Sequence, residues 1–175
     1  MRQFPLARAM VLGLGGTVYT AQSARPALEK SVVTYGWHSA PMAPVYRSQY
    51  VVRVEPGGAG TLMYEFGPSD ASEETTRKFQ VSAADNVKLR DALMQAKVMD
   101  GAWPASADKP LGAPRETVEI AVPAGQSVTL DSALEPEAAG RFRSVVEAIR
   151  AAVPKELWAE MDAAQKAYVA GHQAK

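Results

Sequence analysis

The last third of the chain carries an apolar stripe that constrains the fold more than any other feature. From residue 137 onward, five apolar residues recur at the spacing i, i+3, i+4, i+7 and i+11: Phe142, Val145, Val146, Ile149 and Val153. This spacing places all five on one face of a helix. Burying such side chains stabilises a fold by about 1.5 to 3 kcal/mol each. The sequence therefore predicts that this helix docks on a sheet.

Segments rich in β-branched and aromatic residues predict that sheet. Two pairs of such segments flank short turns, which is the pattern of a hairpin, and a fifth segment stands between the two pairs. The strands are predicted over residues 45–55, 61–66, 75–81, 117–122 and 127–130.

Two further segments predict helices. Ser82 and Asp85 have the S-x-x-D spacing of a helix N-terminus, and the helix that they open is expected to end near Met99. Pro154 ends the helix of the apolar stripe and opens a closing helix that stops near Gly171. The predicted fold class is α+β: a four or five stranded, mostly antiparallel sheet built from two hairpins, with three helices packed mainly on one face.

The N-terminal stretch "ARAMVLGLGGTVYTA" has three glycines after an apolar run, which suggests a nucleotide-binding turn or a secretion signal. A dinucleotide-binding turn needs a glycine where this chain has Val18, and it needs a helix after it, for which no pattern is present. A secretion signal needs basic residues, an apolar centre and small residues before the cut. Arg2, Arg8 and the uncharged run up to "TAQSA" supply all three. We predict a signal peptide, with a disordered or helical N-terminal tail as the alternative.

The predicted organisation follows from that signal. Residues 1–23 form the signal peptide, 24–34 a flexible lead-in, 35–171 a single α+β domain and 172–175 a frayed tail. The protein is expected in the periplasm or outside the cell, with the cytoplasm as the alternative. A membrane span needs about 20 apolar residues, and the uncharged run is shorter than that, so no permanent span is expected.

Composition excludes several classes of function. Lys plus Arg equals Asp plus Glu at 19 each, and basic residues form no patch, so no nucleic acid is expected as a partner. The chain has no cysteine, which rules out disulfides, thiolate metal sites and a cysteine nucleophile. Its two histidines, His38 and His172, lie far apart in the sequence. The sequence predicts neither a metal nor a cofactor.

Aromatic residues near prolines are the main candidates for a functional surface. Rings of this kind lose little entropy when they bind, so a ligand or partner surface is predicted from Trp37, His38, Tyr46 and Trp103. The alternative is that the rings fill the ends of the sheet as core residues. The expected partner is an envelope protein or a small ligand. A competing interpretation is a small periplasmic hydrolase whose site assembles around His38, with Asp100 or Asp108.

Three short motifs resemble a type of small exported bacterial domain. Tyr35-Gly36-Trp37 leads to Pro44-Val45-Tyr46, Leu111-Gly112-Ala113-Pro114 precedes a hairpin, and Val153-Pro154 is followed by Trp158. The resemblance covers about residues 33–168. It implies a domain of unknown function, from which no activity or site carries over. The function expected from the sequence is a non-catalytic exported binding or envelope accessory domain.

Overall fold

Six antiparallel strands form the centre of the computed structural model, which describes residues 21–68, 74–108, 112–123, 125 and 127–173. The predicted signal peptide lies outside the described residues except for its last three. The helices are α1 (Ala21–Glu29), α2 (Ala83–Gln95), α3 (Pro136–Ala152) and α4 (Lys155–Gln173). The strands are β1 (Val32–His38), β2 (Ser48–Val54), β3 (Ala59–Phe66), β4 (Thr75–Gln80), β5 (Arg115–Ala121) and β6 (Ser127–Asp131).

The strands lie in the order β4-β3-β2-β1-β5-β6, and every neighbouring pair is antiparallel. In the register of the three central strands, Tyr35 lies opposite Val52 on one side and Val118 on the other. The predicted α+β class and the two hairpins are confirmed. The sheet has six strands instead of four or five, and the described residues contain four helices instead of three.

The additional helix is α1 and the additional strand is β1, and both overlap residues 24–34, the predicted flexible lead-in. This segment instead contains the end of α1 and the start of β1, and Leu28 and Val33 are fully buried in the core. Strand β1 lies between β2, which is the next strand along the chain, and β5, which comes after α2 in the sequence. Its pairing with β5 is not visible in the local sequence, because that partner lies far away in the chain.

One face of the sheet carries the hydrophobic core. Phe142 and the rest of the predicted stripe on α3 are buried, and they pack in the same cluster as the inward-facing residues of β1, β2, β3, β5 and β6. The opposite face carries polar and charged side chains, of which His38, Arg53, Lys78 and Glu119 are exposed. This division is the expected result of period-2 alternation in an antiparallel sheet with one solvated face.

The sequence predicts the start of α2 correctly, but not its end. The Ser82 hydroxyl accepts a hydrogen bond from the Asp85 amide at 3.1 Å, so the predicted N-terminal cap is confirmed. Helix α2 ends at Gln95, before Met99, because Lys97 adopts a positive φ of 54° that a helix cannot continue through. In the described part of the chain, no helix is long and apolar enough to cross a membrane.

The first predicted strand and the predicted tail also differ from the structure. Residues 44–46 form a 3₁₀ turn instead of the start of a strand, because Pro44 suits the first position of such a turn and the Arg47 amide donates back to the Pro44 carbonyl at 3.1 Å. Helix α4 continues to Gln173, and the ring of His172 stacks on Tyr168 with the ring centroids 4.1 Å apart. The beginning of the predicted frayed tail is therefore helical.

Candidate binding site

Strand β1 directs two of the predicted site residues to opposite faces of the sheet. Trp37 lies on the core face and is half-buried, whereas its neighbour His38 lies on the open face and is exposed. Successive side chains in a strand point to opposite faces, so these two residues do not share one binding surface.

The Trp37 ring is fixed by an aromatic cluster under the end of the sheet. It stacks on Tyr50 with the ring centroids 5.3 Å apart and the planes 14° apart. Tyr50 in turn meets Trp158 of α4 edge to face at 5.2 Å. Offset-stacked and edge-to-face pairs each contribute about 0.5 to 1.5 kcal/mol beyond area burial. Trp37 is therefore a rigid part of the structure.

Polar groups inside this cluster form a chain of hydrogen bonds. The Tyr35 hydroxyl donates to the Glu116 carboxylate at 2.6 Å and lies 3.3 Å from the Tyr50 hydroxyl. Arg150 donates to the same Tyr50 hydroxyl at 3.2 Å. Burial, with the hydrogen bond to Glu116, raises the pKa of Tyr35 well above its ordinary value, and burial also raises the pKa of Tyr50. Tyr35 stays protonated at physiological pH, so it acts as a hydrogen-bond donor and not as a base.

The loop between β1 and β2 forms a hollow of about 350 Å³ with α4. We call it the aromatic hollow; it is lined by Trp37, Ser39, Met42, Tyr46, Ser48 and Gln165. Met42 is 43% exposed and Tyr46 is 42% exposed, which is unusual for large apolar side chains in this protein. The aromatic hollow therefore combines two exposed apolar groups with a rigid tryptophan.

Backbone and side-chain hydrogen bonds hold this loop in place. The Ser39 amide donates to the Ser48 carbonyl at 2.9 Å, and the Tyr46 amide donates to the Ala43 carbonyl at 2.9 Å. The side-chain amide of Gln165, on α4, donates to the Ser48 hydroxyl at 3.2 Å. Pro41 and Pro44 further restrict the loop. The two exposed side chains are thus presented by a preorganised segment.

A second hollow of about 350 Å³, the histidine hollow, opens on the other side of the same loop. It is lined by His38, Ser39, Ala40, Pro41, Arg47, Ser48, Gln49, Glu65 and Gly67. The side-chain amide of Gln49 donates to the Glu65 carboxylate. Among the described residues, the His38 imidazole has no hydrogen-bond or ion-pair partner, and neither Asp100 nor Asp108 lines this hollow.

The fourth predicted site residue, Trp103, lies apart from both hollows. Its half-buried ring packs against the core, and the Arg141 guanidinium lies 4.5 Å from the ring centroid. Trp103 Nε1 and Arg141 Nε are buried without a hydrogen-bond partner. Arg141 Nη1 donates to the Ala96 carbonyl at 3.2 Å, which ties this pair to the end of α2. Only Trp37 and Tyr46, of the four predicted residues, share a hollow.

No protein-family model matches the chain. No curated protein matches it either. These results are consistent with the resemblance to a domain of unknown function, and they leave the chemistry of the hollows as the basis for assigning a role.

Four of the six residues that line the aromatic hollow were not predicted from the sequence: Ser39, Met42, Ser48 and Gln165. Met42 lies in the same aromatic and proline-rich segment as Trp37 and Tyr46, so the local sequence could have indicated it. Gln165 lies on α4, more than 100 residues away, and only the docking of that helix brings it to Ser48. Among the described residues, no group of three His, Asp or Glu side chains is arranged to hold a metal ion.

Proposed function

We propose that the protein is a non-catalytic binding module of the bacterial envelope, and that the aromatic hollow is its binding surface. The observation that carries the proposal is the exposure of Met42 and Tyr46 side by side on a restrained loop, next to the rigid Trp37 ring. Exposed apolar groups with a polar rim are typical of interaction sites, and rigid aromatic residues are frequent binding anchors.

The chemistry of the lining indicates the kind of ligand. The six residues of the aromatic hollow include no charged side chain, and they offer hydroxyl and amide groups beside the rings. Such a surface favours an uncharged, amphipathic group, because a charge would lose its hydration without gaining an opposite charge. The ligand is either a small molecule or a segment of an envelope protein with these properties.

A hydrolase centred on His38 remains the second candidate. It is supported by one observation: His38, two serines and Glu65 line the same hollow. A general base in such an enzyme is normally oriented by a third group. Because His38 has no such partner among the described residues, the geometry favours binding over hydrolysis.

Capture from envelope extract tests the binding surface. We expect the double variant Met42→Ser, Tyr46→Ser to retain at least tenfold less of the envelope component that the wild type captures, because both exposed apolar contacts are lost. Mass spectrometry quantifies the captured material. His38→Ala is the matched control, since it changes an exposed side chain on the opposite face.

The outcomes of this experiment separate the two candidates. Equal capture by the wild type and the double variant contradicts the proposed surface. Chemical turnover of the captured component that His38→Ala abolishes replaces the binding function with the hydrolase.

Export to the periplasm is the second part of the proposal, and it is supported by the basic, apolar and small-residue pattern of residues 1–23. The intact mass of protein recovered from the periplasm is expected to lack about the first 23 residues. Replacing both Arg2 and Arg8 by Glu should reduce the periplasmic fraction, because the signal then loses its basic start. A full-length species confined to the cytosol contradicts the export proposal.

A further inference from the structure

Strand β6 forms one outer edge of the sheet, and its backbone pattern shows which groups face outward. The Ser132 amide donates to the Glu116 carbonyl at 2.9 Å, so these residues form a hydrogen-bonded pair with β5. Hydrogen-bonded pairs alternate along an antiparallel ladder. Val128 and Leu130 therefore bond to β5, while the amides and carbonyls of Ser127, Thr129 and Asp131 face away from it.

Within the part of the chain that the structure describes, no strand pairs with this outward row along β6. β6 pairs only with β5 among the described strands. The edge becomes covered beyond β6, where Ala105 forms a bridge with Leu134 and the Ser106 amide donates to the Ala133 carbonyl at 3.0 Å. The open stretch is five residues long, from Ser127 to Asp131.

The opposite edge, β4, carries features that oppose pairing. The Val81 amide donates to the Gly58 carbonyl at 2.8 Å, so Thr76, Lys78 and Gln80 face outward by the same alternation. Arg77 donates to the outward carbonyl of Thr76 at 3.3 Å, and Lys78 is exposed at the centre of the strand. A lysine on an edge strand is a common protection against edge-to-edge association. β6 has no charged residue from Ser127 to Leu130.

We propose that β6 pairs antiparallel with β6 of a second copy of this chain, around a two-fold axis at Thr129. In that register Thr129 lies opposite Thr129 of the second copy, Ser127 lies opposite Asp131, and Val128 lies opposite Leu130. Threonine pairs and apolar pairs across strands are favourable, and no two like charges meet. The outward backbone groups of Ser127, Thr129 and Asp131 all find partners.

Charge and symmetry favour the pairing of two β6 strands over the other two pairings of edge strands. The equivalent pairing of two β4 strands would place Lys78 opposite Lys78, which is destabilising. Pairing of β6 with β4 of another copy would leave one edge open at each end, so it would produce filaments and not a closed dimer. The formal net charge of the full chain is +0, and removal of residues 1–23 takes away only the charges of Arg2 and Arg8, so long-range repulsion between copies is weak. This inference does not depend on the proposed binding function.

Sedimentation velocity over a range of protein concentrations tests the dimer. We expect a reversible monomer–dimer equilibrium for the wild type, and a dissociation constant at least tenfold higher for Thr129→Lys, which places two like charges at the axis. Thr76→Lys makes the same change on β4 and should leave the dimer intact. A wild-type protein that stays monomeric, a Thr76→Lys variant that dissociates equally, or species that grow beyond dimers overturns the proposal.

Disulfide trapping tests the register. The natural chain has no cysteine, so a single introduced cysteine reports only on its own position. Hydrogen-bonded pairs on neighbouring antiparallel strands have Cα atoms about 5.5 Å apart, within the range of about 4.4 to 6.8 Å that a disulfide spans. Thr129→Cys should form a covalent dimer on mild oxidation, and Ser127→Cys should form much less. Equal trapping at both positions, or none at Thr129→Cys, overturns the register.

Discussion

Replacing Phe142 by Asp is expected to abolish the cooperative unfolding of the protein. Phe142 is 4% exposed and packs in the core between α3 and the sheet. Truncating a buried phenylalanine removes about 3 to 5 kcal/mol, and burying an unpaired carboxylate adds a further penalty. Because a domain has only about 5 to 15 kcal/mol of net stability, the sum is large enough to unfold it. Circular dichroism during a thermal scan measures the loss of the transition.

The matched control for this variant is Arg143→Asp. It introduces the same side chain at the next position of α3, where the residue is exposed. Surface substitutions usually change stability by no more than about 0.5 kcal/mol, so a normal transition is expected. If Phe142→Asp unfolds with the same midpoint as the control, the stripe on α3 does not form the core.

Replacing Arg90 by Met is expected to lower the free energy of unfolding by about 2 to 4 kcal/mol. Arg90 is 6% exposed, and burial lowers its pKa. Its guanidinium donates to the Ser31 hydroxyl at 3.0 Å, to the Glu55 carbonyl at 3.3 Å and to the Asn86 side-chain carbonyl at 3.3 Å. Methionine fills a similar apolar volume but donates no hydrogen bond, so the Ser31 hydroxyl and the Asn86 side-chain carbonyl lose the Arg90 donor, while the Glu55 carbonyl keeps the Gly58 amide.

Urea denaturation measures this effect, and Arg53→Met provides the control. The Arg53 side chain is 52% exposed and forms an ion pair with Glu55 at 2.9 Å. Exposed ion pairs contribute about 0.2 to 1 kcal/mol, so this variant should change the midpoint only slightly. Equal losses in the two variants would show that the buried position of Arg90 has no special role.

The Arg90 hydrogen bonds explain one limit of sequence-based prediction. Arg90 lies on α2, Ser31 lies just before β1, and Glu55 follows β2. In the sequence nothing local distinguishes Arg90 from Lys88, which lies two residues earlier on the same helix and is exposed. Only the packing of α2 against both segments shows that Arg90 is a buried donor.

The candidate site was also only partly predictable from the sequence. The sequence identified Trp37 and Tyr46, because rings beside prolines are a local signal. It grouped them with His38 and Trp103, which the structure places on the open face and beside Arg141. Trp37 and His38 are adjacent in the sequence, but strand alternation places them on opposite faces of the sheet. Helix α4 brings Gln165, from a distant part of the chain, to the aromatic hollow.

Local patterns in the amino-acid sequence were sufficient to predict the α+β class, both hairpins, the apolar face of α3 and the cap at Ser82. Each of these depends on spacing within a few residues, which the chain order records directly. Four features became visible only in the folded chain: the central position of β1, the burial of Arg90, the aromatic hollow and the contrast between the edges at β4 and β6. These features depend on pairing and docking between segments far apart in the chain, and local periodicity carries no information about such distances.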